Sequence, residues 1–126
     1  ALRSYLIDSY GFDANRVYSC GFSNGGIMSY AIACQLSDEF AAIASVAGSM
    51  NTDMMSQCTP SRSFPIMEVH GDADPFFPLD HPHALHASAP GSELWIEPGF
   101  GHAEGAIDSA LVHRIARWAR QTVDST

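Results

Sequence analysis

A serine flanked by glycines, Gly21-Phe22-Ser23-Asn24-Gly25, stands where an apolar stretch ending at Gly21 gives way to a helical one starting at Asn24. A turn of this kind forces the serine into a strained backbone conformation and lifts its hydroxyl above the end of a sheet. A side chain at Gly21 or Gly25 is expected to collide with the neighbouring strand or helix. The backbone N–H of Asn24, at the helix start, is placed to meet a developing oxyanion. The pattern arises by chance in roughly 4% of chains of this length, and its position at a strand-to-helix junction makes chance a poorer account still. A hydroxyl is a weak nucleophile, so the chemistry needs a base to take its proton and an acid to hold that base in the right tautomer.

Two later segments supply them. His70-Gly71-Asp72-Ala73-Asp74 follows the apolar run 65–70, and Gly99-Phe100-Gly101-His102 follows the run 93–97. Each group therefore comes after its own strand, in the order nucleophile, acid, histidine. Ser23 is expected as nucleophile, Asp74 as acid and His102 as base. Asp72 competes with Asp74, its plainer role being a loop carboxylate that accepts backbone N–H groups. His81, His83 and His86 cluster beside Asp80, but no spacing there fixes a tetrahedral zinc site, and a solvated loop is the expectation. Phe76 and Phe77 can line an apolar pocket or belong to the core.

The elements that must position these groups alternate. A helix is expected over 2–9, a strand over 17–21, a helix over 24–36 and a strand over 40–47. A loop over 49–63, a strand over 65–70, a loop over 71–82 and a short helix over 84–89 follow. The last strand covers 93–97, and an amphipathic helix covers 106–122, with Ile107, Leu111, Ile115 and Trp118 on one face. Strands that are apolar on both faces and alternate with helices predict an α/β fold. Its sheet is small, mostly parallel, of about four strands, and covered by helices on each side. Residues 1–126 read as one domain, without repeats or low-complexity tracts.

The composition fits. Apolar residues make up 46% and charged residues 16%, with a formal net charge of −8 and six Lys or Arg. A nucleic-acid partner is not expected on so acidic a surface, nor a membrane, since no apolar run is long enough to cross a bilayer. The N-terminus shows no signal-peptide pattern. Cys20, Cys34 and Cys58 match no zinc spacing; Cys20 and Cys34 read as small buried hydrophobes, and a disulfide at Cys58 stays open but unsupported.

The stretches RVYSCGFSNGGIMSYAIACQLSDEFAAIASVAGSM, PIMEVHGDADPFFP and EPGFGH resemble the polyhydroxybutyrate-depolymerase and feruloyl-esterase group of α/β-hydrolases. The resemblance runs from about Gly11 to His102. It implies His-Gly-x-x-Asp-x-x-x-Pro as the acid motif, hence Asp74 with Pro78 closing the pattern, and it gives His70 a structural role orienting the acid loop. It implies hydrolysis of carboxylic esters through an acyl-enzyme, with no metal or organic cofactor, and a chain without room for a lid domain is expected to take short acyl groups. Polyester, feruloyl ester, lactone and thioester remain alternatives, as does a non-catalytic half-domain that binds a partner chain.

The resemblance also implies four strands ahead of the nucleophile turn, where this sequence has one helix and one strand. The early loop that gives the second oxyanion N–H is among what is missing, so the chain reads as a truncated or minimal form of that fold. The strand 17–21 then becomes an exposed apolar edge, which proteins rarely leave uncovered. A homo-oligomer covering that edge is therefore expected.

Overall fold

The computed structural model describes residues 2–102 and 108–124. Helix α1 (Leu2–Tyr10) leads into β1 (Tyr18–Phe22), α2 (Asn24–Gln35), β2 (Ala42–Val46), the short α3 (Thr52–Ser56) and β3 (Ile66–Gly71). Then come α4 (Asp80–Ser88), β4 (Glu93–Glu97) and α5 (Ser109–Asp124). The four strands form one sheet in the order β1-β2-β3-β4. Every pairing is parallel, with Gly21 opposite Ser45, Ser45 opposite Glu68 and Glu68 opposite Leu94. Parallel strands place all their C-terminal ends on one side, so the loops after β1, β3 and β4 meet there.

Alternation along the strands makes two cores. Ala42, Ala44, Met67 and Val69 face α5, where Leu111 and Trp118 are buried against them and Ile115 packs alongside. Ile43 faces the other way, onto Tyr30 and Ala33 of α2 and Leu85 of α4. Helix α5 is fixed to the β4 edge by Trp118, whose indole N–H donates to Glu93 at 2.8 Å, and by an Arg114–Glu97 pair at 2.8 Å. The start expected for this helix at Ala106, with Ile107 on its buried face, lies outside the described residues.

Four expectations are corrected. The stretch 49–63 is not all loop: Asn51 caps α3 by accepting the Met54 N–H at 2.8 Å. Helix α4 begins at Asp80, with Pro82 in its first turn, where a missing N–H does no harm. Cys34 is not a lone buried thiol but is bonded to Cys58, tying the end of α2 to the loop before β3. Cys20 is not a buried hydrophobe either: it is free and exposed, because among the described residues β1 has only β2 beside it.

Candidate active site

Ser23 sits at the turn between β1 and α2 with φ 52° and ψ −112°. Left-handed backbone is unfavourable for a residue with a Cβ and persists only where the surroundings enforce it. Here the Ser23 N–H donates to the Val46 carbonyl at 2.8 Å, and its carbonyl accepts the Ile27 N–H at 3.0 Å as the first bond of α2. The glycines divide the steric work differently from the sequence expectation. A Cβ at Gly21 would overlap the Gly25 backbone, whereas a Cβ at Gly25 would meet open space. The second demanding position is Gly26, where a Cβ would lie 2.6 Å from Ser45 Oγ and 3.0 Å from the Gly48 Cα. Its absence lets the start of α2 settle onto the end of β2.

Gly71 ends β3, and a Cβ there would overlap the carbonyls of Phe100 and Gly101. The two loops after β3 and β4 therefore run in backbone contact. They are laced together by the Ala73 N–H on Phe100 O at 3.0 Å and the Gly99 N–H on Asp72 Oδ1 at 2.7 Å. Asp72 thus takes the loop-bracing role that was its plainer reading. The cue for this approach was Gly71 itself, a glycine between a buried strand and an acidic loop, and the sequence reading gave it no role.

The lacing delivers His102 to its partners. Its Nδ1 lies 2.8 Å from Asp74 Oδ2 and its Nε2 2.7 Å from Ser23 Oγ. A carboxylate only accepts, so Nδ1 carries the hydrogen, Nε2 presents a lone pair, and the Ser23 hydroxyl donates to it. Asp74 is buried, and its other oxygen accepts the backbone N–H groups of Phe76 at 2.8 Å and Phe77 at 3.0 Å. Burial alone would push its carboxyl up. The Phe77 amide, His102 and the Phe76 amide outweigh that and hold it below the ordinary aspartate value. Asp74 is therefore ionised at neutral pH.

The rings of Phe22, Phe76 and Phe77 stand 5.8, 5.0 and 5.5 Å from the His102 ring. Phe22 and Phe76 are 44% and 69% exposed, so they border the cleft and are not core. His70 is fully buried behind Asp74, its Nε2 donating to Phe77 O at 2.7 Å. The other histidines go separate ways. His81 Nδ1 lies 3.3 Å from Ser49 Oγ, and His86 Nδ1 lies 2.9 Å from Ser92 Oγ. Among the described residues no three His, Cys, Asp or Glu side chains converge as metal ligands.

Residues 1–65, from α1 to the start of β3, match the model of the prolyl oligopeptidase family. The chain belongs to the prolyl oligopeptidase family. Within this family's α/β-hydrolase fold, the match covers the Ser23 turn, while the loops carrying Asp74 and His102 lie beyond it. Over 78 residues the chain is 37% identical to a putative esterase, NocK, of Nocardia uniformis, covering 62% of this chain and 22% of that protein. It is 41% identical over 64 residues to feruloyl esterase B of Piromyces equi, covering 49% of this chain and 12% of that one. The chain thus spans under a quarter of the length of either of these two relatives. The crystal structure of Arabidopsis thaliana SOBER1 superposes with a TM-score of 0.74 at 21% identity, over 97% of this chain and 61% of that one. These likenesses place the chain among α/β-hydrolases with esterase relatives.

Proposed function

We propose that residues 1–126 carry the catalytic portion of a serine carboxylesterase. The supporting observation is the relay from Ser23 through His102 to a buried, doubly cradled Asp74, with spacings of 2.7 and 2.8 Å. In this reading His102 Nε2 takes the Ser23 proton as Oγ attacks the ester carbonyl. The oxyanion lies at the start of α2 against the Asn24 N–H. Collapse expels the alcohol, protonated by His102, and leaves an acyl group on Ser23. Water, deprotonated by the same imidazole, then releases the acid and restores the serine. No step calls for a metal or an organic cofactor.

Short acyl esters are the first substrate class. The Phe22, Phe76 and Phe77 rings around His102 favour small aromatic acyl groups as a second. The open edge of β1 belongs to the same reading as a surface covered by a second copy of the chain.

A fluorophosphonate probe, which reacts only with an activated serine, tests the assignment. Wild-type chain should be labelled at Ser23 and should hydrolyse p-nitrophenyl esters. Ser23→Ala should lose labelling and drop turnover by about 10⁴-fold or more while staying folded. Labelling at another serine would overturn the assignment. Peptide p-nitroanilides and a polyester film in the same panel separate amide and polymer hydrolysis from simple esters.

A further inference from the structure

Strand β3 carries two polar side chains through the most buried part of the molecule, and the relay proposed above uses neither. Glu68 and His70 are 3% and 1% exposed and alternate with Met67 and Val69, so they share the face toward α2. The Tyr30 hydroxyl donates to Glu68 Oε2 at 3.0 Å, and Glu68 Oε1 lies 3.0 Å from His70 Nδ1. His70 Nε2 meets Phe77 O at 2.7 Å and has Asp74 Oδ2 at 3.5 Å. The chain Tyr30–Glu68–His70 therefore ends behind the oxygen that His102 uses.

The hydrogens on this chain can be counted. A carbonyl only accepts, so His70 Nε2 carries a hydrogen. Nδ1 and Glu68 Oε1 must share one more, since two lone pairs at that distance repel. Oε2 accepts from Tyr30. Whether the shared proton sits on nitrogen or oxygen, the pair is neutral. Burial pushes the Glu68 carboxyl up against its bonds to His70 and Tyr30. Burial would lower His70, but the Glu68 bond and the Phe77 carbonyl reverse that and raise it. Both directions favour keeping the shared proton.

We propose that Glu68 is a positioning residue of the hydrolytic site: it neutralises and anchors His70, so that His70 holds Phe77 and leaves Asp74 Oδ2 to His102. Phe77 is where this acts, because its N–H supports Asp74 Oδ1, its carbonyl takes His70, and its ring lies against His102. Without Glu68, His70 Nδ1 has no partner. Its ring, left neutral by burial once Glu68 no longer holds a proton on it, is then free to turn its N–H from Phe77 to Asp74 Oδ2, 3.5 Å away, and to compete with His102 for that oxygen. The inference rests on the Ser23–His102–Asp74 reading.

The test compares Glu68→Leu with Glu68→Gln in the full chain, with kcat expressed per serine labelled by fluorophosphonate so that only folded sites count. A glutamine can accept from Tyr30 with its oxygen and donate to His70 Nδ1 with its amide, preserving the neutral chain without a titrating proton. Glu68→Leu should lower kcat by about 10-fold to 100-fold with KM within twofold, the scale expected when a catalytic group is slightly misplaced. Glu68→Gln should stay within about threefold of wild type. Where Glu68→Leu yields no labelled protein, His70→Asn serves instead, since its short amide can still meet Glu68 but not the Phe77 carbonyl, and it should show the same fall. A wild-type kcat in Glu68→Leu (or in His70→Asn where that serves), or a Glu68→Gln as impaired as Glu68→Leu, overturns the inference while leaving Ser23 labelling intact. An unlabelled wild type overturns the serine-hydrolase reading itself and this inference with it.

Discussion

Strands β1 and β3 are alike in sequence, each a short run with a glycine at its end or one residue before it, yet their surroundings differ sharply. Five of the six residues of β3 are buried, with β2 and β4 on its flanks, α2 on one face and α5 on the other. None of the five residues of β1 is fully buried, and Cys20 and Phe22 are exposed. The difference lies in the neighbours and not in the residues. A parallel strand is buried only if both flanks and both faces are covered. The consequence is functional as well. The end of β3 is a laced, fully bonded support for Asp74 and His102, whereas the end of β1 offers a half-buried hydroxyl on a strained turn. Rigidity behind and access in front is what a nucleophile with a preorganised base requires.

The support on β3 is where the largest effect is expected. Asp74→Asn should lower turnover by about 10⁴-fold, because an amide facing Nδ1 no longer selects the tautomer that leaves Nε2 free for Ser23. Asp72→Asn should change turnover by less than about tenfold. Its Oδ1 only braces the Gly99 N–H at 2.7 Å, and an asparagine oxygen can accept the same bond. Steady-state rates on one p-nitrophenyl ester check both, and a reversal would move the acid by two residues.

The nucleophile turn beside β1 should respond through stability. Gly26→Val inserts atoms against Ser45 and Gly48 and should destabilise the fold by about 1–3 kcal/mol, read as a shift in urea midpoint. Gly25→Ala enters open space within a helix and should be neutral or stabilising by up to about 1 kcal/mol. If Gly25→Ala proves the more damaging of the two, the packing at this turn is not as described.

Most of the fold was legible because hydrophobic period and glycine punctuation are local signals. Strand β4 was read at its observed bounds, and β1, β2 and β3 within two residues at either end. What failed was long-range. The Cys34–Cys58 bond joins residues 24 apart in sequence, and no spacing rule pairs three cysteines. The exchange of Gly25 for Gly26 depends on where α2 meets β2, which the glycine motif does not encode. At the site, the meeting of Ser23, Asp74 and His102 was legible because each follows its own strand, β1, β3 and β4, at the C-terminal side of a parallel sheet. Glu68 was not, although a signal was present: a carboxylate and an imidazole two positions apart on a strand otherwise too apolar to hold either unpaired.

The smallest effect should come from the bare side of β1, and it bears directly on the comparison. Tyr18, Ser19 and Cys20 line a groove of about 400 Å³ together with Val112, Ile115 and Ala116 of α5, its walls largely apolar. Unpaired strand groups beside an apolar groove recruit another strand or face. A second copy of the chain presents the same edge, which makes a two-fold contact self-complementary. Sedimentation of the wild-type chain should therefore show reversible dimers. Val112→Lys, at a position 55% exposed in the single chain, should weaken them by about tenfold or more by placing a charge in the buried contact. Labelling of Ser23 should be unchanged, because the groove lies against α5 and away from the loops that carry Asp74 and His102. A wild-type chain that sediments as a monomer at all concentrations, with the β1 amides exchanging freely, would leave β1 as an open edge and remove the self-association reading.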